Sequence, residues 1–572
     1  MIGRKPKEQQ QESPFRSFVI GDKGDTTIGP EDRIVREEIL TVACNYEREL
    51  LSSKTKDPKI HVDEIASGVA QFYEKVRKII DWKDDNVLRR GAIERILKRR
   101  LFPKIVLRSF KESDSPQLAK TMIEELIRGG HLPNHEVPQS RIQSVSNALG
   151  KYLYFLEYTV KSHGITDVKK GNNITTFIIE IAACEIEEIL VRPVKEYGIV
   201  DAMSKILYER VKVIPEDRIS SDLVLDMLRV SVQRRLYNLD DNYIIYMYLR
   251  RRFPNWSNFS EEELQWFAEN IGSIKEESEE YINSKICKKF DEVTEDVDAV
   301  FLLLDDVFEG LRESPESVEK SISDENLLLS LIEDNYKKRR ISLKRRLRNS
   351  AIFSTLSVLI SNFATFYILE VPIARLFYEE FNTLATIVDF VLPAVVMFML
   401  IIFIKPPEEE NLKRVLLATE DLLFTGSDFE SYEVKIDDDS SKLGKIFAEI
   451  FFVLLSLFLF CGIGYVFYIA QLPITSVVYD TFMVAITFYA ALSVRKKSRE
   501  LDVDAHRNFG DLLFDVFTVP LAKIGSFLSS KWREYNVVAI FTNYLVEVPF
   551  VAVLDFIELW SKFMKERNAE IS

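Results

Sequence analysis

Long apolar runs in the C-terminal half constrain this chain more than any other feature. Ala351–Leu369 (AIFSTLSVLISNFATFYIL) carries no charge, and about 19 residues of helix match a hydrocarbon core of ~30 Å. Leu384–Ile404 is interrupted only by Asp389. Phe447–Ala470 holds Glu449 near its start, and Val477–Val494 holds Asp480 near its start. A backbone in lipid has no water to bond, so each crossing run must be a helix. The runs predict a four-helix transmembrane anchor.

Lysine and arginine placement orients the anchor. The segment before the first run reads KKRRISLKRRLRN, and its Lys337, Lys338, Arg339, Arg340, Lys344, Arg345, Arg346 and Arg348 are expected to form a basic cluster at the membrane surface in contact with lipid headgroups. The 370–383 loop has Arg375 against Glu370, Glu379 and Glu380. Residues 405–445 hold Lys405, Lys413, Arg414, Lys435, Lys442 and Lys445. Gln471–Ser476 has no cation, and the fourth run exits into RKKSR. All basic flanks fall on one side if the chain makes two hairpins with both termini cytoplasmic. That predicts a multi-pass protein of a plasma or inner membrane, its partner the lipid bilayer.

Beyond the fourth run, Leu513, Phe517, Leu521, Ile524, Leu528 and Trp532 recur at three and four. The pattern predicts an amphipathic helix in the membrane interface. Val537–Trp560 is apolar but has Glu547 and Pro549 at its middle and bases on both flanks. It reads as interfacial or re-entrant.

The N-terminal region differs in character. Apolar positions recur at helical spacing, as in Ile65, Val69, Phe72, Val76 and Ile79, or Leu88, Ile93, Ile96 and Leu97. Ser115-Pro116 and Ser260-Glu261-Glu262-Glu263 mark helix starts, and Gly129-Gly130 marks an end. No stretch alternates convincingly with period two. Phe290, Val293, Val297, Val300, Leu304, Val307 and Leu311 follow a 3-4-3-4-3-4 rhythm. This seam is either the core of an intramolecular bundle or a parallel self-association surface. From Asn326 a helix is expected to run directly into the first apolar run.

The whole reads as an all-α chain: a helical cytoplasmic N-terminal region, a four-helix transmembrane anchor and an amphipathic C-terminal tail. A disordered lead-in is expected over 1–29, a helical cytoplasmic domain over 30–255, and a helical stalk with the seam and basic juxtamembrane helix over 256–349. Transmembrane hairpins over 350–404 and 446–497 flank a cytoplasmic loop over 405–445, and 498–572 forms the interfacial tail.

Chemistry is sparse. A net charge of −14 argues against a nucleic-acid partner. Cys44, Cys184, Cys287 and Cys461 form no CxxC pair, so neither a zinc site nor a disulfide framework is expected. Neither phosphate-cradling loops nor HExxH or GxSxG occur, and no cofactor is expected. His131 and His135 are four apart but flank Pro133, which makes them solvated loop residues rather than metal ligands. The basic stretch Lys98–Lys104 reads as a solvated helix end. Asp389, Asp480 and Glu547 are acids inside apolar runs, fit for an ion path or an interhelical contact. The expected function is a non-enzymatic membrane anchor or scaffold whose helical region binds a protein partner, another copy or the membrane surface. An oligomeric channel or transporter using Asp389 and Asp480 is the alternative, and a lipid-acting interfacial enzyme a third reading.

Overall fold

The computed structural model describes residues 34–52, 57–62, 85–107, 115–163, 168–215, 219–365, 391, 394–401, 404, 407, 409–425, 431–435, 442–469, 474–503 and 509–535. These are mostly helical, in keeping with the all-α expectation. The stripe from Ile65 to Ile79, together with Asp389 and Glu547, lies outside the described residues.

The N-terminal region builds two apolar cores, and the chain visits each more than once. The first is made by helices Asp85–Leu107, Ser115–Arg128, Ser140–His163, Val168–Leu190, Asp241–Arg252 and Glu261–Ile282. The second is made by Glu37–Ser52, Val194–Arg210, Ser221–Leu236, Lys285–Glu295 and Asp298–Gly310. Local signals behave as their chemistry requires. Ser260 Oγ accepts from the Glu263 amide while the Glu263 carboxylate accepts from the Ser260 amide, a complete capping box. Helix Ser115–Arg128 ends where Gly130 turns to φ 75° and the His131 amide returns to the Leu126 carbonyl at 2.9 Å.

The expected boundary near 255–260 is not where the cores divide. Trp256 is 1% exposed and packs with Phe267 inside the first core, so this segment is a buried corner rather than a linker. The expected stalk is likewise part of a globule. Its seam is broken at Val297 into two helices, and Phe290, Val293, Val297, Val300, Leu304 and Val307 are all buried in the second core, with Leu311 packed against it. Burying such a side chain contributes about 1.5–3 kcal/mol. The seam is therefore occupied by the chain's own helices, and no face of it is left for a second copy.

One short sheet escapes the period-two search. Val211–Ile214 pairs in parallel with Tyr432–Lys435, from Val211 opposite Tyr432 to Ile214 opposite Lys435. Four residues are too few to show a period, and the partner strand lies far along the sequence.

Helix Glu325–Thr365 is continuous over 41 residues, about 60 Å, as expected of a helix entering the first apolar run. Among the described residues two helical segments are long and apolar enough to cross a membrane, Ile450–Ile469 and Val477–Ser498, with mean hydropathies of 2.6 and 1.6. Four were expected; the first run is described only to Thr365, and the second only at 391, 394–401 and 404. Helix Lys442–Ile469 leaves Phe451, Leu454, Phe458 and Val466 exposed, an apolar surface unlike that of a water-soluble monomer.

The tail helix Phe509–Tyr535 does not stand apart from the anchor. Arg495 pairs with Asp515, and an added Cβ at Gly525 would lie 2.1 Å from the Ala485 carbonyl oxygen. These contacts are ten residues apart on both helices (495 to 485, 515 to 525), about 15 Å of shared length. A helix lying across the end of a span would touch it over a turn or two. The tail helix runs antiparallel along helix Ile474–Ser498.

Candidate functional site

A polar network lies where the apolar helices meet the N-terminal region. Arg339, on the long helix, donates to Asp306 Oδ1 and Oδ2 at 2.7 and 2.6 Å and to Glu500 Oε1 at 2.8 and 2.5 Å. Burial opposes the charge of Arg339, yet Glu500 and Asp306 together hold its guanidinium above the ordinary range. Arg346, two turns on, donates to Glu500 at 2.9 Å. Arg340 Nε donates to the Pro407 carbonyl at 3.0 Å and Nη1 to Glu409 at 3.1 Å.

A second set of bonds closes around Asn411. Its amide nitrogen donates to the Leu501 carbonyl at 2.6 Å and to Tyr336 Oη at 3.2 Å, and its Oδ1 accepts from the Val503 amide at 3.4 Å. Three separate stretches thus meet at one buried amide: the long helix, the segment after the second apolar run and the exit from the fourth. Leu422, Leu423, Phe424, Val434, Leu501 and Val503 are buried in the second core, so the contact is apolar as well as polar.

Further along, Arg210 is 2% exposed and donates to Asp421 Oδ2 at 2.5 Å and to the Asp421 carbonyl at 2.6 Å. The Arg36 amide donates to the Leu423 carbonyl and the Thr425 amide to the Ile34 carbonyl, both at 2.9 Å. With the parallel strand pair, these bonds fasten residues 409–425 and 431–435 to the N-terminal region. No protein-family model matches this chain, and no curated protein or solved structure is significantly similar to it. Geometry alone must therefore carry the functional reading.

The structure gives the basic cluster two kinds of partner. Arg339 and Arg340, both half-buried, and Arg346, which is exposed, reach carboxylates of the junction. Lys337, Lys338, Lys344, Arg345 and Arg348 are exposed, with Lys337 reaching Glu333 at 2.6 Å.

Asp480 is 1% exposed in helix Ile474–Ser498, beside the close approach of Gly464 to Thr481 on the facing helix. His135, at φ 65°, stacks on His61 with centroids 4.4 Å apart, and His61 Nδ1 lies 3.1 Å from His135 Nε2. No group of three or more metal-type side chains occurs among the described residues. At the Lys98–Lys104 stretch, Lys98 pairs with Glu94, while Arg99 and Arg100 both grip Glu125.

Two features in the first core had no sequence signal. Lys151 Nζ donates to Glu185 Oε2 at 2.7 Å and to the Trp256 carbonyl at 2.8 Å, while Tyr152 Oη and Trp256 Nε1 donate to the same Glu185 oxygen. Burial holds Lys151 below its ordinary value even with Glu185 beside it. Each member is bonded to another within the core, which makes this a structural bracket. Next to it, Phe253, Phe259, Trp266 and Glu262 line an open cleft of about 370 Å³. The junction residues were equally silent in the sequence. Asp306, Glu500, Asn411, Arg210 and Asp421 are ordinary polar residues whose partners lie 33 to 211 positions away.

Proposed function

We propose that this protein is a multi-pass membrane scaffold whose helical region is held in a fixed pose against the mouths of two transmembrane hairpins and presents its outer surface to a protein partner. The single observation behind this reading is the convergence on Asn411. Stretches that precede the first apolar run, follow the second and follow the fourth share one buried bond network. Such convergence requires an even number of crossings between each pair of stretches, the arithmetic of two hairpins. The positive-inside rule makes the shared side cytoplasmic. A domain fastened at three points cannot swing on a tether, which suits holding a partner at fixed height and orientation.

Single cysteines probed with a membrane-impermeant maleimide test the topology. Glu379→Cys and Thr475→Cys are expected to label from outside intact cells, and Ser342→Cys and Glu410→Cys only after disruption. Outside labelling of Ser342→Cys or Glu410→Cys would overturn the hairpins. The scaffold reading is tested by cross-linking the full chain in its native membrane. A stoichiometric partner attached to residues of 85–282 supports it, and cross-links confined to the chain itself count against it.

A second reading is favoured by the burial of Asp480 within an apolar helix. In it, oligomers of the chain pass ions or protons along a path that includes Asp480 and Asp389. Flux in proteoliposomes that disappears in Asp480→Asn would support this channel, and absence of flux from the wild-type chain would end it.

A further inference from the structure

The long helix Glu325–Thr365 has a sharply divided surface near its middle. Ile332, Tyr336 and Leu343 are buried, and Arg339, Arg340 and Arg346 are bonded inward beside them. At about 100° of rotation per residue, these six fall within roughly a third of the circumference. Lys337, Lys338, Ile341, Lys344, Arg345, Arg348, Ile352 and Leu356 occupy another third, roughly opposite, and all are exposed. Asp334, a turn before Lys338, closes the stripe at its upper end.

The chemistry of this stripe changes along its length in one direction. Its N-terminal part is cationic. Past Arg348 it becomes apolar, with Ile352 58% and Leu356 46% exposed. Helical rise places Arg348, Arg345 and Lys344 about 6, 10 and 12 Å before Ile352. That is the order of thickness of a phospholipid headgroup layer above the start of the acyl chains. Ile341, 62% exposed, stands among cations, whereas past Arg348 the chain holds no charge as far as Leu369, so the stripe needs a polar surround before that point and an apolar one after it. A lipid boundary explains both.

We propose that this stripe binds anionic phospholipid headgroups. Lys344, Arg345 and Arg348 make the first contacts, and Lys337 and Lys338 form a second tier within reach of the surface potential. The proposal rests on the apolar helices crossing a bilayer, and it names the lipid class that the junction selects. The inward arginines are excluded from it because their guanidinium groups already serve Asp306, Glu500 and Glu409.

The test uses the full chain in bilayers of equal parts phosphatidylglycerol and phosphatidylcholine, with spin-labelled lipid of each type added in turn. The immobilised fraction gives the preference of the protein boundary for one headgroup over the other. The wild-type chain is expected to prefer phosphatidylglycerol. The triple variant Lys344→Gln/Arg345→Gln/Arg348→Gln is expected to lose most of that preference, at roughly fivefold per cation for a site where all three act together. Lys285→Gln/Lys288→Gln, which removes exposed cations from the soluble region, is expected to keep it. Equal affinity of the wild-type chain for both lipids overturns the proposal, as does an equal loss in the two variants. Inorganic phosphate should act no more strongly than chloride at matched ionic strength; specific displacement by phosphate would reassign the site to a soluble anion. Resistance to carbonate extraction, measured on every variant, separates a failure of this proposal from a failure of the membrane reading.

Discussion

Arg339 and Glu500 are 161 residues apart in sequence and share two hydrogen bonds, at 2.8 and 2.5 Å, with the same arginine also gripping Asp306. One guanidinium thereby ties the helix entering the apolar region, the turn after helix Ile474–Ser498 and a helix of the second core. Removing it strands Asp306 and leaves Glu500 with Arg346 alone. Arg339→Gln is expected to lower stability by about 3 kcal/mol, the low end for breaking a buried pair because each side chain keeps some solvent contact. Thermal denaturation of the full chain in detergent measures this. Glu500→Gln should cost less, since Asp306 still pairs with the arginine, and a larger loss than in Arg339→Gln would contradict the arrangement.

Gly525 sets how closely the tail helix approaches the helix before it. A methyl group there would lie 2.1 Å from the Ala485 oxygen and 3.0 Å from the Tyr489 Cβ. Neither helix backbone can yield locally, so Gly525→Ala is expected to separate the pair and cost about 1–3 kcal/mol. Gly150 offers the contrast, because nothing stands within 4 Å of its added Cβ. Inside helix Ser140–His163, Gly150→Ala should stabilise the chain by about 0.5–1 kcal/mol. Paired melting curves decide the matter; a harmless Gly525→Ala would mean the tail helix is not packed as described.

Lys151 and Glu185 form a buried pair within the bracket they share with Tyr152 and Trp256. Lys151→Met leaves the carboxylate without its cation and is expected to cost about 3–5 kcal/mol. Adding Glu185→Gln should recover part of the loss, because a neutral amide is cheaper to bury and its oxygen can still accept from Trp256 Nε1. Denaturation of the two variants gives the coupling directly. Additive losses would show that the two residues act independently.

Glu180 supplies a pH dependence. Burial, reinforced by Glu94, pushes its carboxyl up to about 7 from 4.5. The folded chain therefore holds this proton more tightly than the unfolded chain. The stability it contributes is complete below about pH 4.5 and is lost as pH rises through about 7. Glu180→Gln mimics the protonated form. Its melting temperature should match wild type below about pH 4.5, exceed it by a margin that grows between about pH 4.5 and 7, and keep that margin above about 7. A margin that does not change between about pH 4.5 and 7 would refute the shift.

The sequence by itself determined what was local. Apolar run length, helical periodicity and the capping box at Ser260 depend on residues within a few turns of one another, and the described residues are helical as those signals require. The continuation of the helix past Ser350 was legible for the same reason. The tertiary structure decided whatever depended on a distant partner. The seam from Phe290 to Leu311 has a rhythm that fits a neighbour in the same chain or in another, and only the arrival of the helices around it chose the former. Among the basic residues before the first apolar run, charge and spacing gave no means of separating Arg339 from Lys338. Their difference arises because Asp306 and Glu500 are folded against one face of the helix. Gly525, Asn411 and Asp421 were silent in sequence because a close approach or a buried hydrogen bond is a property of two segments, and a chain read one residue at a time shows only one of them.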